Sequence, residues 1–143
     1  NFSVIELLAA ISIIAILAAI TVGVYSLIFT KTKNNRTEAL IKKLEMAMQS
    51  YKHDTGYYFQ QATLNNLTIN VSDTDFLEHI DYSRMINSGE INDNGEVIDA
   101  WGRAILYQCP GSNNRTMFDL SSEGQDGVDD SGTGDDITNF SKN

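Results

Sequence analysis

The sequence predicts an α+β protein. One long N-terminal α-helix, transmembrane in its first half and amphipathic in its second, packs on a small head with a short antiparallel β-sheet and a C-terminal acidic loop. Three observations lead there. Residues 2–27 are almost wholly apolar. Apolar residues then recur at helical spacing to about residue 52 with no proline among them. From Tyr57 onward, short apolar pieces alternate with turn residues. The expected organisation is a hydrophobic helix over residues 1–27, an amphipathic continuation over 28–53, and a head over 54–143 whose acidic loop occupies 121–140.

The first element rests on length and purity. Residues 7–24 are apolar apart from Ser12, Thr21 and Gly23, and a stretch of about 20 such residues crosses a bilayer core as a helix. A cleavable secretory signal has a basic start and a shorter apolar stretch, whereas here no Lys or Arg stands before the run. A simple signal-anchor and a buried core helix remain the plainer alternatives. Glu6 is the informative residue, because a carboxylate at the edge of an apolar helix costs a few kcal/mol unless something compensates it. Either it sits at an interface without a role, or it pairs with an α-amino group. Its own terminus lies about a turn and a half away, and a neighbouring copy's terminus is the other candidate. The latter pairing would set the axial register between copies. Lys31, Lys33 and Arg36 follow the apolar run; they suit lipid headgroups, acids of a neighbouring copy, or a solvated helix face.

The second element carries a stripe of Leu40, Leu44, Ala47, Met48 and Tyr51, with Lys42, Lys43, Glu45 and Gln49 on other faces. A helix uninterrupted from Phe2 to Lys52 would extend about 75 Å at 1.5 Å per residue, and His53-Asp54-Thr55-Gly56 is the expected stop. Gly23 weakens the helix locally by about 1 kcal/mol. Met46 and Met48 are expected to fill core space.

In the head, residues 96–98, 104–108 and 117–120 are strand candidates, and residues 76–80 a helical turn. Asp99-Ala100-Trp101-Gly102 is turn-like with an aromatic anchor. The single cysteine, Cys109, permits no internal disulfide, and nothing links it to His53 or His79 as a nucleophile would require. Zinc lacks a ligand pair at short spacing. With 19 acids against 10 bases and a formal net charge of -9, the bare chain is expected to repel nucleic acid. No catalytic constellation emerges, so an enzyme is not expected.

The final element alternates acids and glycines, SSEGQDGVDDSGTGDDI over residues 121–137. Crowded carboxylates repel, so such a loop orders when a cation neutralises it. Calcium suits irregular oxygen ligands best. Counting from Asp129 puts Gly134 at position 6 but Phe140 at position 12, where an EF-hand needs Glu. The other reading is a flexible acidic tail, against which Ile137 and Phe140 offer apolar anchors.

FSVIELL at residues 2–8, continuing through IIAILAAI at 13–20 to Tyr25, resembles the start of mature type IV pilins and pseudopilins. YKHDTGYY at 51–58 and DAWGR at 99–103 with Leu106-Tyr107 resemble the major pseudopilins of type II secretion, with alanine at residue 100 where that motif has proline. The resemblance implies that a prepilin peptidase removes a short basic leader and methylates the new terminus, Asn1 or Phe2. The family's glutamate is the fifth mature residue, and here it is residue 6. It also implies that Glu6 pairs with an adjacent subunit's amine. The acidic loop resembles the family's calcium site, with Asp126, Asp135 and Asp136 as side-chain ligands and Asp129 or Asp130 as substitutes. The expected function is therefore a structural subunit. It would sit as a single-pass protein in the bacterial inner membrane, then polymerise through its helix into a periplasmic or cell-surface filament alongside a secretion or pilus assembly machinery. The alternative is a membrane-anchored module that binds calcium or a partner and never polymerises.

Overall fold

The computed structural model describes residues 3–59, 67–69 and 87–141. The chain divides into two compact units, Asn1–Thr32 and Lys33–Asn143. Helix α1 covers Val4–Thr55, with Glu6 in its first turn and Lys52 and His53 in its last, the charge order that a helix dipole favours. Helical backbone continues through Gly23. The helix stops where expected: Gly56 takes φ +87 and its N–H donates to the Lys52 carbonyl at 2.8 Å, a left-handed cap that glycine adopts without a Cβ clash.

Among the described residues of the first unit, every large apolar side chain is exposed. Val4 is 75 % exposed and Leu27 73 %, and the most apolar window is wholly unburied. Two of its hydroxyls are satisfied locally, Ser12 Oγ donating to the Leu8 carbonyl at 2.7 Å and Thr32 Oγ1 to that of Ile28 at 2.8 Å.

The second unit closes a core. Leu40, Ile41, Leu44, Ala47, Met48 and Tyr51 of α1 pack with Phe59, Ile69, Val97, Ile105, Tyr107, Phe118, Leu120 and Ile137. Met46 lies outside it, 60 % exposed, because two residues on from Leu44 point to another face. A four-stranded antiparallel sheet backs this stripe, ordered β1 (Leu67–Thr68), β2 (Leu106–Gln108), β3 (Asp119–Ser122), β4 (Ile137–Thr138). Tyr107 faces Leu120 across β2 and β3, and both are buried. The candidate strand at 96–98 makes isolated bridges instead, Ile91 with Val97 and Ile98 with Ala104, since the Asn92–Gly95 turn just before it and the Asp99 turn just after it leave no room to extend. The third candidate shifts to Asp119–Ser122. The helical turn expected at 76–80 lies outside the described residues.

Candidate metal centre

Strands β3 and β4 pair Ser121 with Thr138 and Ser122 with Ile137, so residues 123–136 form the closed loop of a hairpin. Asn139 fastens its exit, accepting the Leu120 N–H on Oδ1 at 2.8 Å and donating from Nδ2 to the Phe118 carbonyl at 3.1 Å. Ile137 is buried, and the Phe140 ring lies so close to Gly132 that a Cβ there would come within 2.6 Å of it. Gly124, at φ +60, lets the loop's entry lie directly against the Asp135 backbone, where any Cβ would collide.

This loop brings single carboxylate oxygens of Asp126, Asp130 and Asp135 within 4.8 Å of one another. Oxygens bound to one calcium at about 2.3–2.6 Å lie no more than about 5 Å apart, so the donor set fits that ion. Asp135 Oδ2 accepts the N–H groups of Gln125 at 2.5 Å and Asp126 at 3.0 Å. Burial works to raise the Asp135 pKa, but those N–H groups outweigh it and hold the carboxyl below its usual range. Asp126 Oδ1 accepts the Val128 N–H at 2.9 Å, and Asp129 Oδ1 that of Ser131 at 2.9 Å.

Asp136 is placed differently. It is 1 % exposed, and its Oδ2 accepts the Gly132 N–H at 2.9 Å. Its Oδ1 is a buried side-chain oxygen with no hydrogen-bond partner. Burial pushes its pKa up, the Gly132 N–H offsets part of that, and the negative charges of Asp129 and Asp130 add to the rise. A buried acceptor left unmatched costs free energy that a donor or a cation placed beside it would offset. The structure thus groups Asp130 with Asp126 and Asp135, while Asp136, expected as a ligand from the sequence, is not in that group and is buried.

Sequence reasoning missed the support beneath the loop. Asp99, 3 % exposed, accepts the N–H groups of Trp101 and Arg103 on Oδ1 at 2.8 and 2.9 Å. Its Oδ2 accepts the Ser122 hydroxyl at 2.6 Å, and Ser122 Oγ in turn accepts the Gly124 N–H at 3.2 Å. The Asp-x-Trp spacing was the available signal, because an Asp side chain readily closes onto the N–H two residues on. Alanine at residue 100 keeps an N–H that proline lacks, and it donates to Thr37 Oγ1 of α1 at 3.2 Å.

A model of the family described as type II secretion system (T2SS), protein G, matches residues 28–140. The chain belongs to that family. Protein G is the major pseudopilin, a structural component of the secretion system and not an enzyme family. No curated protein and no solved structure matches the chain. The match begins at residue 28, so it covers the amphipathic part of α1, the sheet and the acidic loop of this pseudopilin but not Glu6. There, Glu6 Oε2 accepts the Ser3 N–H at 2.9 Å, half of a capping box across the helix start; Asn1 and Phe2 lie outside the described residues. Cys109 is half-buried, its Sγ 3.7 Å from the Met117 carbonyl, and burial pushes its thiol up, the reverse of an activated nucleophile. His53 contacts the neighbouring Asp54 at 3.0 Å.

Proposed function

We infer that this pseudopilin is held in the bacterial inner membrane by its first helical segment and then polymerises through it into a periplasmic pseudopilus serving protein secretion. The observation that carries this reading is the apolar window of α1, wholly unburied within its own chain. Apolar surface gains about 25 cal/mol per Å² on leaving water, and lipid or a bundle of identical helices supplies that burial. Filament growth needs a contact between unlike faces that does not close on itself. Glu6 provides one by pairing with the amino terminus of the adjacent copy, whose residue Asn1 or Phe2 is the methylated one after prepilin peptidase cleavage. The Ser3 cap does not exhaust this carboxylate, since an ionised carboxyl offers about four acceptor sites.

Calcium belongs to the same reading. Asp126, Asp130 and Asp135 would hold it, with Asp129 and Asp136 flanking and backbone oxygens completing the shell. Bound there, the ion neutralises the carboxylates that otherwise repel across the loop. Two features support this: the convergence of three carboxylates and the unpartnered buried oxygen of Asp136.

Glu6→Ala in the full chain separates assembly from anchoring. Membrane insertion at the normal level with filaments absent is the expected result. Filaments at the unmutated level would overturn the Glu6 pairing, whereas an unmutated chain that inserts but forms no filaments would favour an anchored calcium- or partner-binding module.

A further inference from the structure

Residues 123–136 contain six acids and no base, yet a positive charge is built into their first limb from outside. Arg103 leaves the Asp99 turn with its guanidinium fork spread over that limb. Nη1 donates to the Gly124 carbonyl and Nη2 to the Gln125 carbonyl at 3.1 Å. The approach is close enough that a Cβ on Gly127, itself at φ +76, would stand 2.5 Å from Nε and 2.7 Å from Cζ. Gly124 is consequently gripped at both ends, its N–H by Ser122 Oγ at 3.2 Å and its carbonyl by Arg103. The limb so fixed directs the N–H groups of Gln125 and Asp126 onto Asp135 Oδ2.

We propose that Arg103 is a resident cation that positions the 124–127 limb before any metal arrives, setting Asp126 and, through the two N–H groups, Asp135 in the places a divalent cation needs. Its part in metal binding rests on the calcium reading above; its hold on the limb does not. Arg103 is a positioning residue and touches no metal. Its charge opposes an incoming cation, so any benefit to binding comes from geometry: a planar fork reaching two carbonyls, which a lysine ammonium does not reproduce.

The test uses the full chain in detergent micelles, with amide hydrogen exchange in chelator and a calorimetric calcium titration. Arg103→Lys keeps the charge and removes the fork. It should lower protection of the Gln125 and Asp126 amides about tenfold without metal, the worth of one charge-assisted hydrogen bond. Calcium affinity should fall about tenfold or more, as for other residues that orient metal ligands. Gly127→Ala, which pushes the guanidinium away, should reproduce both effects. Unchanged amide protection and affinity in a folded Arg103→Lys protein would overturn the proposal, as would a lowered metal-free melting temperature with calcium affinity intact. An unmutated chain that takes up no calcium while its amides still depend on Arg103 would sink the metal reading and keep the limb assignment.

Discussion

Two regions of this chain solve the same problem in opposite ways. In the unit Lys33–Asn143, Leu44, Met48, Val97, Ile105, Phe118 and Leu120 are all essentially buried. In the unit Asn1–Thr32, Leu7, Ile11, Ile14 and Leu17 are all more than half exposed. Composition already separates them, with one acid and one base in residues 1–32 against 18 acids and 9 bases in residues 33–143. Patterning completes the contrast: apolar residues on one stripe let a helix pack on a sheet, whereas apolar residues all round leave no polar face for water. The head closes on itself. The leading segment leaves its large apolar side chains exposed.

The sharpest way to break that contrast is Phe118→Ala. Phe118 is fully buried, and its loss should cost the head about 3–5 kcal/mol, read by urea unfolding of the full chain in detergent. Next in size is calcium. At a free concentration near 100 times its dissociation constant it should add about 2.7 kcal/mol to the head, seen as a raised melting temperature. The paired change Asp126→Asn with Asp130→Asn should abolish the increment, and a melting curve unmoved by excess chelator would remove the calcium claim. Acidity enters with two signs. Asp136 sits above the usual carboxylate range, so protonation favours the metal-free fold; that stability is complete below the unfolded value of about 3.9 and is lost as pH rises through the folded value. Asp135 sits below the range, so its contribution is present above the unfolded value and is lost as pH falls through the folded one. Because calcium binds ionised carboxylates, its increment should shrink as pH is lowered from 7 toward about 4.

Smaller still is Thr37→Val, which leaves the Ala100 N–H without its acceptor and should cost about 1–2 kcal/mol in the same unfolding assay. The smallest effect expected is Leu17→Ala. On the exposed segment it should move head stability by no more than about 0.5 kcal/mol. A Leu17 effect equal to that of Phe118 would end the comparison.

What the sequence made legible follows from how local each signal is. Period and capping are local, so the helix, its stop at Gly56 and the buried stripe from Leu40 to Tyr51 could be read directly. Two-residue strands carry almost no pattern, and β1 and β4 take their identity from the partners that β2 and β3 offer them. The acidic loop divides in the same way. That its carboxylates converge could be read from crowding alone, but not which ones. Consecutive side chains entering a strand diverge, so Asp135 and Asp136 separate, and Asp130 reaches the cluster across a turn that no spacing rule discloses. The Asp99–Ser122–Gly124 relay joins positions 23 residues apart and then 2; the distant half belongs to the tertiary fold.

Ser12 spends its hydroxyl on the carbonyl one turn earlier, so the segment arrives in any oily surroundings with that group already matched. If the proposed transfer from lipid into a filament takes place, it ruptures no bond at that position, and shape fit and the charge at the tip would then choose the neighbour.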